Sequence, residues 1–208
     1  MSIAADLPVS PPAPVRLFMD SEFTGLHQFS TLISLAFSSE SGVEFYAEFT
    51  DFDRAQCDDW LRENVLAHTR WLAEGVAEPL EQNEAGLSLC LGDAGFVTAR
   101  LVAWLARFPA IEVWADCPAW DWVLFCQLFG GALHLPRQIS YLPRDLATLF
   151  QCRGWCADTP RAAFAGFAPD GTTGQPHNAL WDARVLRACH ARLAPGLPTT
   201  AGGAVPPA

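Results

Sequence analysis

The sequence predicts an α/β domain in which a mixed sheet is flanked by helices. Three observations predict it. Between residues 15 and 49, three apolar or alternating segments follow one another through connections too short for a helix. After residue 53 the apolar period lengthens to that of a helix, over 53–67, 93–108, 118–129 and 178–193. One short apolar run, 110–115, lies between two of those helices, and a strand reached through a helix pairs parallel. With half of its 208 residues hydrophobic and 12% aromatic, the chain can bury one substantial core, so a single domain over 15–193 is expected.

Taken in order, residues 15–20 put Val15, Leu17 and Met19 on one side and Phe18 on the other, the alternation of a strand. Residues 31–37 form a second, apolar strand. Residues 43–49 alternate again, with Val43, Phe45, Ala47 and Phe49 against Glu44, Tyr46 and Glu48. An antiparallel meander with one wet face on its third strand is expected. Asp53 caps a helix reaching about residue 67, with Cys57, Trp60, Leu61, Asn64 and Val65 at helical spacing. The acidic, polar, Gly-bearing stretch 74–92 reads as a loop. Asp93 starts the next helix, whose apolar face is Val97, Leu101, Trp104, Leu105 and Phe108, with Pro109 beyond its end. Pro118 opens another, stopped by Gly130 and Gly131, with Trp120, Val123, Leu124 and Leu128 turned inward. A short helix over 143–150 and a loop over 157–176 lead to the last helix, which begins near Asn178.

Residues 1–14 and 194–208 are rich in Pro, Ala and other small residues and are expected to be disordered. The N-terminus lacks the basic start and unbroken apolar centre of a signal peptide. No apolar run reaches the ~18 residues that cross a bilayer, so no membrane partner is expected. Seven cysteines, an odd number in a chain with a large core, point to reduced thiols and a cytoplasmic location. Cys152 and Cys156 are the one close pair; a zinc site there would need the distant Cys189 and His190.

The net charge of −10 is unevenly spread. Residues 1–104 hold 5 Arg against 16 acids, residues 105–208 hold 8 Arg against 7, and there is no Lys. That excludes a broad basic face for duplex binding. A short anionic substrate held by a few arginines and by bound cations remains open.

The chemistry-bearing residues are acids spread along the chain. Asp20 and Glu22 end the first strand, and residues two apart on a strand face one point. Thr24 and Gly25 then bend the chain. Asp121 lies in the first turns of the 118–129 helix, with Asp116 as an alternative third acid. Asp182 is one turn into the last helix, with His177 at its entrance. Hydrolysis of a phosphodiester needs an activated water and neutralised charge on the phosphoryl and leaving oxygens, and two divalent ions ~3.5–4 Å apart supply both. Four carboxylates suit Mg²⁺, with Mn²⁺ as a substitute, whereas thiolates do not. A histidine with a pKa near ~6.5 can accept the proton from the water.

The segments "DSEFTGL", "WADCPAWDWVLF" and "HNALWDAR" resemble the three exonuclease motifs of the DnaQ-like superfamily, in its DEDDh branch. That branch includes ribonuclease T, oligoribonuclease and the polymerase III proofreading subunit. Between the motifs, "EFYAEFTDFD", "WLRENVL" and "LPR" look like the small bacterial 3′-to-5′ exoribonucleases best known from mycobacteria, so the likeness covers roughly 15–190. The resemblance implies a ribonuclease H-like fold with a mixed five-stranded sheet flanked by helices. It implies Asp20, Glu22, Asp121 and Asp182 as metal-binding acids and His177 as general base. It implies that Phe23, Thr24 and Leu26 seat the terminal nucleotide, with Leu26 as a wedge against the base. The implied substrate is the 3′ end of single-stranded nucleic acid, RNA favoured over DNA, and the implied assembly is a homodimer. Phe29, Trp122 and Trp155 are further candidates for base stacking, and Arg144, Arg153, Arg184 and Arg187 for phosphate contacts; core packing and a solvated surface are their alternatives. Cys117 stands where the family usually has Asn, four residues before Asp121. A DNA exonuclease and a non-catalytic protein-binding module on the same fold are the competing functions.

Overall fold

The computed structural model describes residues 13–169 and 174–195. The expected disordered ends, 1–14 and 194–208, therefore fall outside the described residues except for 13–14 and 194–195. One mixed sheet of seven strands, ordered β4-β5-β3-β2-β1-β6-β7, carries helices on both faces. The strands are β1 (Val15–Phe23), β2 (Leu32–Ser39), β3 (Glu44–Phe49), β4 (Leu80–Glu84), β5 (Leu87–Gly92), β6 (Ile111–Ala115) and β7 (Arg144–Asp145). The helices are α1 (Asp59–Asn64), α2 (Ala94–Leu105), α3 (Ala119–Gln127), α4 (Leu146–Cys152), α5 (Arg161–Ala165) and α6 (Ala179–Leu193).

The meander β1-β2-β3 is antiparallel, and β6 lies parallel to β1, as the sequence predicts. Asp93 and Asn178 cap α2 and α6, accepting from Phe96 N and Trp181 N. The sheet has seven strands where the resemblance implies five; β4, β5 and the two-residue β7 at the far edge are additional to the four placed in the sequence over 15–115. The added strands β4 and β5 lie in the stretch read as a loop. They form a hairpin through Ala85 and Gly86, the latter at φ +82, a left-handed turn that suits glycine. β4 escaped notice because it is an edge strand with almost no buried residue. β5 does alternate, with Leu87, Leu89 and Leu91 on one side.

Other boundaries shift. Asp53 caps only the short 3₁₀ turn Arg54–Gln56, and Asp58 caps α1, which is six residues long. On α3, Phe125 and Cys126 are buried with Leu124, while Trp120 and Val123 are exposed. The loop 157–176 contains α5. The third strand has no wet face: every residue of β3 is buried. α6 and the segment that follows α1 cover it, and each acid there has partners.

Glu44 receives both Arg184 nitrogens (2.6 and 3.0 Å) and the Ser38 hydroxyl (2.8 Å). Glu48 accepts the backbone N–H groups of Arg70, Trp71 and Leu72 and the Tyr46 hydroxyl, the last at 2.7 Å. A buried carboxylate is tolerated when its lone pairs are filled in this way. Glu48 thereby fixes the segment after α1 onto the sheet, against a layer that includes Ile33, Ala36, Leu61, Val65, Trp71 and Leu180.

The opposite face carries α2 and α3 over Leu17, Met19, Leu35, Phe37 and Phe45, with Trp104 wedged between the two phenylalanine rings. Each such side chain stabilises the fold by about 1.5–3 kcal/mol on burial.

Glu48→Ala would strand the buried N–H donors of Trp71 and Leu72, the part-buried one of Arg70 and a buried hydroxyl, at about 1–3 kcal/mol for each buried group left unpaired. We expect it to destabilise the protein by at least about 3 kcal/mol in urea denaturation, and a loss below about 1 kcal/mol would contradict the clamp.

Candidate active site

The site forms where β1 outruns its neighbour. β6 pairs with β1 only from Val15↔Ile111 to Phe18↔Trp114, so beyond that register β1 has an open edge. Along β1, Leu17 and Met19 point into the α2–α3 layer and Phe18 into the α6 layer. Alternation therefore turns Asp20 and Glu22 toward α6 and Ser21 toward α3. Asp182, in the first turn of α6, meets them: oxygens of Asp20, Glu22 and Asp182 all lie within 4.8 Å of one another.

Asp121 reaches the open edge of β1 from the other face. Its Oδ1 accepts the Ser21 N–H (3.1 Å) and the Ser21 hydroxyl (2.7 Å), which seats it beside the cluster but outside its closest set. Asp116, the alternative third acid, is held by the Arg161 guanidinium in two contacts of 2.9 Å. Asp116, Cys117 and Asp145 form a second close group, but Asp145 is spent on capping α4 and on the Cys117 N–H. Among the described residues, no other group of His, Cys, Asp or Glu is close enough to hold a cation. Cys152 and Cys156 are exposed and Cys189 is buried elsewhere, so the zinc alternative has no gathered ligands.

The electrostatics set the first cluster apart from the buried acids Glu44, Glu48 and Glu112. Glu44, Glu112 and Asp116 each have an arginine, whereas among the described residues no arginine or histidine is salt-bridged to Asp20, Glu22 or Asp182. Burial and the charges of Asp182, Glu22, Asp121 and Asp116 hold the Asp20 carboxyl well above its usual range. Burial, then Asp182 and Asp121, pushes Glu22 up to about 8. Burial lifts Asp182 to about 7, although N–H bonds from His177 and Asn178 pull the other way. Burial raises Asp121 as well, opposed by its bonds to Ser21. Uncompensated negative charge on hard oxygen donors is the donor chemistry that a divalent cation such as Mg²⁺ satisfies.

His177 lies exposed at the start of α6 in a left-handed conformation, φ +64, unusual for a residue with a Cβ. Its backbone N–H donates to Asp182 Oδ2 at 2.9 Å, and its ring meets Trp60 edge to face at 5.0 Å. Next to Glu22 opens a cavity of about 320 Å³ lined by residues 21–26 and by Asp58, Trp60 and Leu61. Leu26 projects from it, 75% exposed. Thr24 is buried, donating its hydroxyl to Gln56 Oε1 (2.5 Å) and accepting the Thr31 N–H (2.9 Å), so its hydroxyl shapes the loop. Phe23 packs partly into the α2–α3 layer.

Of the other sequence candidates, Trp122 packs into the core, and Phe29 and Trp155 are exposed. Arg184 and Arg187 are turned to Glu44, and Arg144 to Glu112. Arg153 is half-buried, with two guanidinium nitrogens that have no partner among the described residues.

No protein-family model matches the chain. Solved structures that share its fold include two nucleases. One is cell-death related nuclease 4, at TM-score 0.61 and 12% identity over 88% of this chain and 64% of that one. The other is the nuclease domain of 3′hExo, a DEDDh family member bound to rAMP, at TM-score 0.56 and 11% identity over 90% and 94%. Over 170 residues the chain is 30% identical to a 3′-5′ exoribonuclease of Mycobacterium tuberculosis, known from strains CDC 1551 / Oshkosh and H37Rv, across 82% of this chain and 88% of the relative. The chain belongs to the DEDDh family of 3′-to-5′ exonucleases.

Two cavity-lining residues of this exonuclease, Asp58 and Trp60, escaped the sequence reading. The signal was present, since an Asp pair directly before Trp-Leu marks a helix start, but Asp53 competed with Asp58 for the cap.

The raised carboxyls bear on stability. Their ordinary values are 3.8 and 4.5, and those of Asp182 and Glu22 in the fold are about 7 and about 8. Between these limits the folded state binds more protons than the unfolded chain, so stability falls as pH rises. In EDTA we expect the melting temperature to decline from about pH 4 to about pH 8, and Glu22→Gln to raise it at pH 8. A metal-free melting temperature that rises across this window would refute the crowding.

Proposed function

We propose that residues 15–193 form a metal-dependent exoribonuclease that removes nucleoside 5′-monophosphates from the 3′ end of single-stranded RNA. The observation that carries the reading is the convergence of Asp20, Glu22 and Asp182 within 4.8 Å, without a counter-cation, beside a nucleotide-sized cavity. The 30% identity to 3′-5′ exoribonucleases supports RNA as the substrate.

In this reading Asp20, Glu22 and Asp182 hold divalent cations, with Asp121 as the fourth acid. Two Mg²⁺ ions suit a set of hard oxygen donors, and Mn²⁺ is an accepted substitute. When bound, the ions supply positive charge against the phosphoryl and leaving oxygens and make a nearby water more acidic. The protein does the rest. Ser21 keeps Asp121 at the open strand edge. The wall made by residues 21–26 orients the terminal nucleoside, with Leu26 against the base. His177 takes the proton from the attacking water, its backbone tied to Asp182. A general base so placed contributes about 10²–10⁴-fold in rate.

All seven cysteines are free, and among the described residues no helix is long and apolar enough to cross a membrane. Both are compatible with a cytoplasmic enzyme. A homodimer completes the proposal, and the exposed apolar side chains Val123, Leu133, Tyr141 and Leu142 support an association surface.

Matched RNA and DNA oligomers labelled at a blocked 5′ end test the substrate. RNA should shorten one nucleotide at a time in Mg²⁺ and stop shortening in EDTA, while DNA lags; equal decay of both would remove the RNA preference. His177→Ala should lower kcat by about 10²–10⁴-fold with Mn²⁺ binding intact by calorimetry. Glu22→Gln should lose both turnover and Mn²⁺ binding.

A further inference from the structure

We infer that Trp60 is a positioning residue for this reaction: its indole holds the His177 imidazole in the attitude needed to accept a proton from the attacking water. The inference rests on the proposed role of His177 as general base and adds a residue that acts through it.

Three observations carry it. First, His177 has a constrained backbone and an exposed side chain. Its left-handed φ and its N–H bond to Asp182 fix where the imidazole starts, while nothing in that backbone geometry fixes where the ring points. Second, among the described residues the only aromatic ring against His177 is Trp60, at 5.0 Å and 74°. An edge-to-face arrangement is directional, because the positive ring edge meets the negative face, so it selects a side-chain rotamer as well as a distance. Third, Trp60 is itself held. Asp58 Oδ1 accepts the Leu61 N–H at 2.8 Å, the Asn64 amide donates to the Trp60 carbonyl at 2.9 Å, and Leu61 is buried directly after it.

The two elements are also fastened to each other. Asn178, which follows His177 and caps α6, donates from its side-chain nitrogen to the His68 carbonyl at 3.0 Å. Trp60 and His177 therefore ride on segments with a fixed separation.

The indole is 52% exposed and lines the cavity that contains Glu22 and Leu26. A tryptophan half in water contributes little to the core, so its removal can be tested without losing the fold. The directional pair is strong enough to bias the rotamer about 10-fold, well short of the about 10²–10⁴-fold that the base itself contributes. Loss of Trp60 should thus impair His177 without abolishing its action.

The test is a double-mutant cycle in single-turnover and steady-state assays on an RNA oligomer in Mg²⁺, using Trp60→Ala, His177→Ala, the double variant and Trp60→Phe. Melting temperature with and without Mn²⁺ checks that each variant folds and binds cation. We expect Trp60→Ala to lower kcat about 10-fold with KM changed less than about twofold. We expect Trp60→Phe to restore most of that loss and the double variant to be no slower than His177→Ala. The inference is overturned if His177→Ala is slow while Trp60→Ala keeps its kcat or changes only KM, since the indole would then be a cavity wall alone. It is also overturned if the two losses multiply in the double variant. A His177→Ala enzyme with wild-type turnover would remove the base assignment itself, a different result from either of these.

Discussion

Three carboxylates pressed together with no arginine to share is the constraint on which the rest of this structure depends. Left alone, the arrangement opposes folding: burial and mutual repulsion hold protons on groups that would otherwise be ionised near neutrality. The fold can sustain it because the layers on either side of the sheet are well packed, and in the proposed enzyme bound cations would complement the charge. Stability is given up locally where the chemistry needs unsatisfied oxygen donors. The same protein satisfies its buried acids Glu44, Glu48 and Glu112 with arginines, N–H groups and hydroxyls, which makes the exception at Asp20, Glu22 and Asp182 meaningful.

Those other acids act as fasteners. Glu44 ties α6 to β3 through Arg184, and Glu48 ties the segment after α1 to the same strand through three backbone N–H groups. Glu112 gathers the Trp114 indole and Arg144 where β6 meets β7. The result is that α6, which carries Asp182, and the α1 region, which carries Trp60, are both referenced to β3, while Asp20 and Glu22 are referenced to β1 two strands away. Geometry at the site is therefore set by the sheet, and not by the loops that border it.

Much of this could be read from the sequence, and the reasons are local. Asp20 and Glu22 were legible because period-2 alternation fixes the side to which both point, and Asp182 because a capped amphipathic helix fixes its own phase. The meander, the parallel β6 and the α2 and α6 caps followed from apolar period and from Asp and Asn at helix starts. Long-range pairing was not legible. The acids of β3 looked solvent-facing because their partners, Arg184 and the N–H groups of residues 70–72, are distant in sequence or belong to the backbone. β4 lacked an apolar face, so nothing in its composition distinguished it from a loop. Asp121 was legible as an acid near the strand ends, but its attachment to Ser21 depends on where β6 stops, and that is a property of the assembled sheet. Trp60 stands at helical spacing with Leu61 and Val65, and helical spacing cannot distinguish a side chain that packs inward from one that borders a cavity.

The outermost strand has a consequence for how copies of the molecule meet. β4 leaves one row of backbone groups without a strand beside it, which is the usual template for sheets joining end on. Its side chains are Leu80, Glu81, Gln82, Asn83 and Glu84, and the two glutamates reach half-buried Arg100 and exposed Arg70. A second copy approaching antiparallel along this rim would meet a row of polar and ion-paired side chains, with Leu80 the one apolar residue on the strand. The rim thus works as a built-in guard against runaway stacking.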